Sequence, residues 1–216
     1  MKNFFSLQNK RPFIAIKTAT TLDGKIAAQD NSSKWITSDD ARQYVHKLRS
    51  EYQGILTGSN TVLKDNPSLN VRDIKGKNPV RIILDREFKT NFDFNVYKND
   101  GTRVILITNK KVNAPKHIEI INFKDFNTLF KNLYEMGICS LMVEAGSGLN
   151  SEIIKAKEAD YFHYFMAPKI LGDGLDFVKG FEISDINKSI NLEIDGIKKF
   201  SKDILINYKF KNNSIF

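Results

Sequence analysis

Apolar residues along this chain follow two alternating rhythms, short continuous runs and helical spacings. Phe13-Ile-Ala-Ile-Lys-Thr-Ala19, entered through Pro12, is rich in apolar and β-branched residues and predicts a first, central strand. Ala41, Tyr44, Val45 and Leu48 share one face of a helix that runs to about Tyr52, with His46 and Arg49 flanking the stripe. Thr37-Ser-Asp-Asp40 has the capping-box form that would open that helix. Gly54 to Gly58 reads as a buried strand, Asn60 to Lys64 as one or two helical turns, and Val80 to Asp85 and Arg103 to Thr108 as further strands. Phe126, Leu129, Phe130, Leu133 and Met136 restore the helical period, and Gly137 ends it. Strand Ser140 to Glu144 then runs into a glycine turn and a helix to about Lys157. After that the pattern holds only strands, Tyr161 to Met166, Leu192 to Ile197 and Ile204 to Phe210. Alternating strands and helices predict an α/β fold with a mostly parallel sheet covered on both faces, finished by antiparallel C-terminal strands.

Lys17 is the odd residue in the first strand. A charge on a core strand is costly unless it is paired or faces a cavity, so it is read as pointing into a polar cleft, against a lysine snorkelling from an exposed face. Two stretches concentrate hydroxyl, glycine and charged residues where strands end: Thr18 to Ala27 with Ser33 to Ser38, and Gly58 to Arg72. Loops at such positions carry ligand chemistry, and the two read as walls of one anion-binding cleft.

Composition narrows this modestly. A chain of 216 residues without a Pro/Gly/Ser-rich linker reads as one domain, residues 1–216, with 1–10 and 211–216 as fraying ends. Hydrophobic content of 41%, including 16 Phe, supports a sizeable core and argues against disorder. The formal charge of +8 favours anionic partners but does not choose among metabolite, cofactor and nucleic acid. Lysines are dispersed and no aromatic-basic motif occurs, which disfavours nucleic acid. Lone Cys139 excludes an internal disulfide and reads as a small buried hydrophobe. No run approaches a membrane span and the N-terminal apolar core is short for a signal peptide, so a cytoplasmic protein is expected.

Gly146-Ser147-Gly148-Leu149 lies between a strand and a helix, where backbone N–H groups bind phosphate, although a plain tight turn remains open because the dinucleotide fingerprint is incomplete. Glu144 ends the preceding strand at the cleft edge, a candidate for general acid/base work. Arg49, Arg72 and Arg86 are available for phosphate. His46, His117 and His163 lack metal-ligand spacing, and neither a serine-hydrolase elbow nor a nucleotide phosphate loop is present.

Seven ordered segments carry a resemblance: Arg11 to Lys17, Leu22-Asp-Gly-Lys25-Ile-Ala, Ser33-Lys-Trp-Ile-Thr37, Gly58 to Pro67, Arg81 to Asp85, Val143-Glu-Ala-Gly-Ser147 and Ala167-Pro-Lys-Ile-Leu-Gly172. In that order they resemble the reductase half of the bifunctional bacterial riboflavin-biosynthesis deaminase-reductase. The resemblance implies a dihydrofolate-reductase-like fold, NADPH as cofactor, and reduction of 5-amino-6-(5-phosphoribosylamino)uracil at C1′ of its ring-opened sugar. By motif, the cofactor side is Ala19, Trp35, Thr61, Asp65 and the turn from Gly146 to Glu152. The substrate side is Ser33, Thr37, Arg49, Leu69, Arg72 and Glu144, with Arg49 and Arg72 for the phosphate. Lys17 and Glu144 would organise proton transfer. Arg86 departs from the small hydroxyl residue of the family and would bind the 2′-phosphate of NADPH. The zinc signature of the companion deaminase is missing, so no deaminase activity is expected and a separate deaminase is an implied partner, alongside a homodimer. Two rivals are another reductase of the same fold, such as a dihydrofolate reductase, and a non-catalytic nucleotide-binding module.

Overall fold

The computed structural model describes residues 2–180 and 182–211, with the backbone alone for residues 2–4. In chain order the elements are α1 (Lys2–Asn9), β1 (Phe13–Thr21), β2 (Lys25–Ala28), α2 (Asp39–Glu51), β3 (Gly54–Gly58), α3 (Ser59–Asp65), β4 (Val80–Leu84), β5 (Val104–Ile107) and β6 (Ile118–Ile121). They continue with α4 (Phe126–Glu135), β7 (Ser140–Glu144), α5 (Ser147–Lys155), β8 (Tyr161–Ala167), β9 (Gly174–Asp176), β10 (Leu192–Phe200) and β11 (Asp203–Phe210). The chain forms two compact units, one of residues 1–13 and 45–144, the other of residues 14–44 and 145–216.

In the first unit five strands pair in the order β7-β3-β4-β5-β6, all parallel. Ile55, Ile82, Ile83 and Val104 to Ile107 are fully buried, the continuous apolar runs expected of strands covered on both faces. Helix α4 returns the chain from β6 to β7. Asp125 caps its start by accepting the Thr128 N–H at 2.7 Å. Gly137, at φ +86°, ends it as anticipated, with the Ile138 N–H on the Leu133 carbonyl at 3.0 Å.

In the second unit β1 and β8 are parallel, while β11 runs antiparallel to both β8 and β10. A separate pair joins β2 and β9. Gly174 is required there, because a Cβ on it would stand 2.6 Å from the Ala27 carbonyl oxygen. The mostly parallel sheet with antiparallel C-terminal strands is therefore as expected.

Several local expectations are corrected. The helix α2 cap is Ser38, whose Oγ accepts the Ala41 N–H at 3.5 Å; Thr37 instead gives its carbonyl to Arg42. Ser38 is itself held by buried Asp203, which accepts its N–H and hydroxyl at 2.6 and 2.5 Å. Asp85 leaves its strand to accept the Lys89 and Thr90 N–H groups, so it pins a loop. Cys139 is half-buried and gives its N–H to Gln53. Lys2–Asn9 forms helix α1, and the expected fraying of 212–216 lies outside the described residues.

Candidate active site

The first unit contains a topological switch. From β3 the chain adds β4, β5 and β6 on one side, then returns through α4 to place β7 on the other. Loops leaving the carboxyl ends of strands at such a point diverge and open a crevice. Gly58 ends β3 and Glu144 ends β7, and the Thr57 hydroxyl ties the two by donating to the Glu144 carbonyl at 2.8 Å.

Arg49, in the last turn of α2, reaches that point. Its Nε and Nη2 donate to Glu144 Oε1 and Oε2 at 2.7 and 2.9 Å, with the two side chains only 13% and 11% exposed. Burial opposes the Arg49 charge, but the facing carboxylate outweighs it and holds the guanidinium above its ordinary pKa. Nη1 donates to the Asn70 carbonyl at 3.1 Å, so the same side chain anchors the loop after α3. Arg49 and Glu144 are thus a bidentate pair in which both carboxylate oxygens accept hydrogen bonds.

The rest of that loop is shaped around this anchor. Leu69 takes a left-handed backbone at φ +50° and is buried. Arg72 is exposed at the far end, Thr61 is half-buried on α3, and Asp65 is exposed at the end of α3. Arg86 lies over the Phe123 ring at 5.1 Å.

The second unit carries the other predicted residues. Lys17 is half-buried on β1 with its ammonium 5.7 Å from the centre of the Phe165 ring; Ala19 is also half-buried. Ser33 and Trp35 line an open cleft of about 410 Å³ with Thr21, Lys169, Ile170 and Leu171. Trp35 is 61% exposed, has the Arg42 guanidinium 4.1 Å above its ring and gives its carbonyl to Lys169 Nζ at 2.6 Å. Thr37 is buried just before α2.

Lys169 and Asp23 are residues that sequence reasoning passed over. Asp23 accepts the Thr21 hydroxyl at 2.6 Å and the N–H groups of Leu171 and Gly172, which fixes the 167–172 segment on this cleft. The Thr21 hydroxyl bond is the largest cause that lowers its carboxyl to about 2. Membership of both residues in quoted motifs was the only available signal.

At the start of α5, Gly146 is the N-cap and no side chain caps the helix. A Cβ on Gly146 would meet nothing within 4 Å, and Lys179 Nζ lies 3.9 Å from where a Gly148 Cβ would sit. The start of α5 is thus uncapped by a side chain and lies beside a cation, a setting suited to a pyrophosphate. Lys179 had no signal in the sequence. Among the described residues no group of three or more His, Cys, Asp or Glu is placed to hold a metal ion.

Comparison with known proteins identifies the family. The model of the RibD C-terminal domain matches residues 12–206. Riboflavin biosynthesis protein RibD of Aquifex aeolicus is 36% identical over 217 residues, which cover 96% of this chain and 61% of that protein. The 2,5-diamino-6-ribosylamino-4(3H)-pyrimidinone 5′-phosphate reductase of Methanothermobacter thermautotrophicus is 33% identical over 93% of this chain and 99% of its own length. A solved diaminohydroxyphosphoribosylaminopyrimidine deaminase/5-amino-6-(5-phosphoribosylamino)uracil reductase from Thermotoga maritima superposes with a TM-score of 0.86 at 38% identity, over 97% of this chain and 60% of that one. Yeast Rib7, at 23% identity and a TM-score of 0.74, shares the fold, which is of the dihydrofolate-reductase-like kind. This chain thus spans about 60% of the bifunctional relatives' length.

Proposed function

Because the chain belongs to the RibD C-terminal domain family, we propose that it is a riboflavin-pathway reductase that converts 5-amino-6-(5-phosphoribosylamino)uracil to its ribitylamino product with NADPH. The observation that carries this reading is the Arg49–Glu144 pair at the switch point, extended by the loop that ends in Arg72. It offers a fixed carboxylate acceptor for sugar hydroxyls and an exposed guanidinium for a phosphate, the two features a phosphorylated open-chain sugar needs.

The residues present fit the cofactor. The open Gly146 turn with Ser147, Gly148 and Leu149 would hold its pyrophosphate, with Ala19, Trp35, Thr61, Asp65 and Arg86 as the other cofactor-side residues. NADPH would supply the hydride to C1′ of the ring-opened sugar. Ser33, Thr37 and Leu69 would position the substrate, and Arg72 its phosphate. Ring opening breaks the C1′–O4′ bond, delivers a proton to O4′ and removes one from the exocyclic nitrogen, and reduction returns a proton to that nitrogen. Lys17 is the titratable group we assign to this proton traffic. Glu144, paired with Arg49, would orient hydroxyls. A cytoplasmic location, a homodimer and a separate deaminase belong to the same proposal. The homodimer draws support from Ile194 and Ile197, which stand 57% and 65% exposed on β10.

A second reading, in which the 2,5-diamino-pyrimidinone is reduced before deamination, is favoured by the names of the relatives from Methanothermobacter and Aquifex. Both readings are tested by incubating the protein with NADPH and either pyrimidine, following nicotinamide absorbance and weighing the product. A gain of two hydrogens on one pyrimidine selects between them. Oxidation of NADPH with neither, or with dihydrofolate instead, overturns the reading.

A further inference from the structure

His46 lies on α2, 9% exposed, and three polar groups surround its Nδ1. The Arg72 backbone N–H is at 3.2 Å, the Asn70 carbonyl oxygen at 3.2 Å and Arg49 Nη1 at 3.5 Å. A backbone N–H and a guanidinium can only donate, so Nδ1 must present a lone pair and the ring proton sits on Nε2. The Asn70 carbonyl takes its hydrogen from Arg49 Nη1 instead. Burial first, then the Arg49 and Arg72 charges, lower the His46 pKa, with Glu144 of β7 as the opposing charge. The ring is therefore kept neutral in the tautomer the geometry needs.

The loop it touches requires holding. Leaving α3, the chain passes through Leu69 in a left-handed conformation, which costs about 1 kcal/mol or more for a branched side chain, and must still present Arg72 outward. Three bonds fix the stretch. Arg49 holds the Asn70 carbonyl, Asn78 Oδ1 accepts the Val71 N–H at 2.9 Å, and His46 accepts the Arg72 N–H.

We propose that His46 is a positioning residue whose Nδ1 lone pair fixes the Arg72 main chain, and so aims the Arg72 guanidinium at the phosphate of the substrate. The phosphate part of this inference rests on the function proposed above; the His46–Arg72 coupling does not. His46 touches neither the sugar nor the cofactor in this scheme and acts only through Arg72. The ring nitrogen works as an acceptor, so an asparagine, whose Oδ1 occupies a place near that of Nδ1, should substitute for it, whereas a leucine should not. Protonation would put an N–H against the Arg72 N–H and add a third cation beside Arg49 and Arg72.

The test compares wild type, His46→Leu and His46→Asn. Protection of the Arg72 amide against hydrogen exchange is read without ligand. KM and kcat are read with the phosphorylated pyrimidine and NADPH. His46→Leu should lose about tenfold in Arg72 protection and raise KM for the pyrimidine by a similar factor, the order of one hydrogen bond, with kcat and the KM for NADPH within about twofold. His46→Asn should recover most of both. In wild type the Arg72 protection factor should fall as pH drops below the ordinary histidine range, while in His46→Asn it should stay flat. Unchanged Arg72 protection in His46→Leu overturns the proposal. So does a His46→Asn variant as impaired as His46→Leu, since the side chain would then act by volume alone. If protection behaves as expected and no phosphorylated pyrimidine is turned over, the coupling stands and the substrate assignment fails.

Discussion

Replacing Glu144 by glutamine tests the pair on which the candidate site is built. In the native protein both carboxylate oxygens accept from Arg49, at 2.7 and 2.9 Å, and both side chains are nearly nine-tenths buried. Glutamine preserves the shape and one acceptor. Its amide nitrogen, however, would face an Arg49 N–H, two donors in contact, and the guanidinium would be left without its counter-charge. Breaking a buried pair from one side costs about 3–5 kcal/mol; the remaining hydrogen bond and slight exposure place this change near the low end, about 3 kcal/mol. For a chain of this size that corresponds to a fall of roughly 6–12 °C in melting temperature.

The sign should reverse when both partners go. An Arg49→Met/Glu144→Leu variant leaves no stranded charge, and such replacements are typically neutral or stabilising, so it should unfold within about 1 kcal/mol of wild type while losing activity. Urea unfolding of wild type, Arg49→Met, Glu144→Leu and the double variant closes the cycle, with Glu144→Gln measured beside them. If Glu144→Gln were as stable as wild type within about 1 kcal/mol, or if the double variant were as unstable as the sum of the singles, the pair would not be the buried ionic contact described.

Other consequences are direct. Lys17→Met should lower turnover by about a hundredfold and leave NADPH affinity nearly unchanged, and equal turnover would remove Lys17 from the proton path. Gly174→Ala would drive a methyl group to 2.6 Å from the Ala27 carbonyl oxygen, so it should disrupt the β2–β9 pair and cost about 1–3 kcal/mol; an unchanged melting temperature would refute this. The Asp23 carboxyl should titrate near 2 by NMR and move toward 3.8 in Thr21→Val, the first-ranked cause of its shift being that hydroxyl. Because its folded value lies below the unfolded one, its contribution is complete above about 3.8 and is lost as pH falls through 2. His46, also depressed, binds its proton more readily in the unfolded chain, so stability should decline as pH drops below 6.5, and a flat profile in that window would count against its burial as a neutral ring.

How much was legible in the sequence depended on whether information was local. Runs such as Val80 to Leu84 and the stripe Phe126, Leu129, Phe130 and Leu133 declare their elements because burial imposes a period on adjacent residues. Strands β2 and β9 gave no such signal, being short and mostly outside the core, and each exists through pairing with a partner far along the chain. The Thr37 capping box failed for a similar reason. Ser38 is the residue that Asp203 can hold, and Asp203 lies 165 positions away.

The candidate site divides along the same line. Motif order marked Arg49, Arg72 and Glu144 as residues of one site, with both arginines for the phosphate and the glutamate for proton transfer or hydrogen bonding. Which of them is spent on another side chain is decided by a contact between residues 95 positions apart, at a place where β3 and β7 end side by side. Once Arg49 is committed to Glu144 and Asn70, only Arg72 keeps its guanidinium exposed, and its orientation passes to the element that holds its backbone. His46 has no metal-ligand spacing in the sequence. Its role follows from a lone pair aimed at a main-chain N–H, a feature that spacing does not encode and packing of α2 against the 69–72 loop supplies.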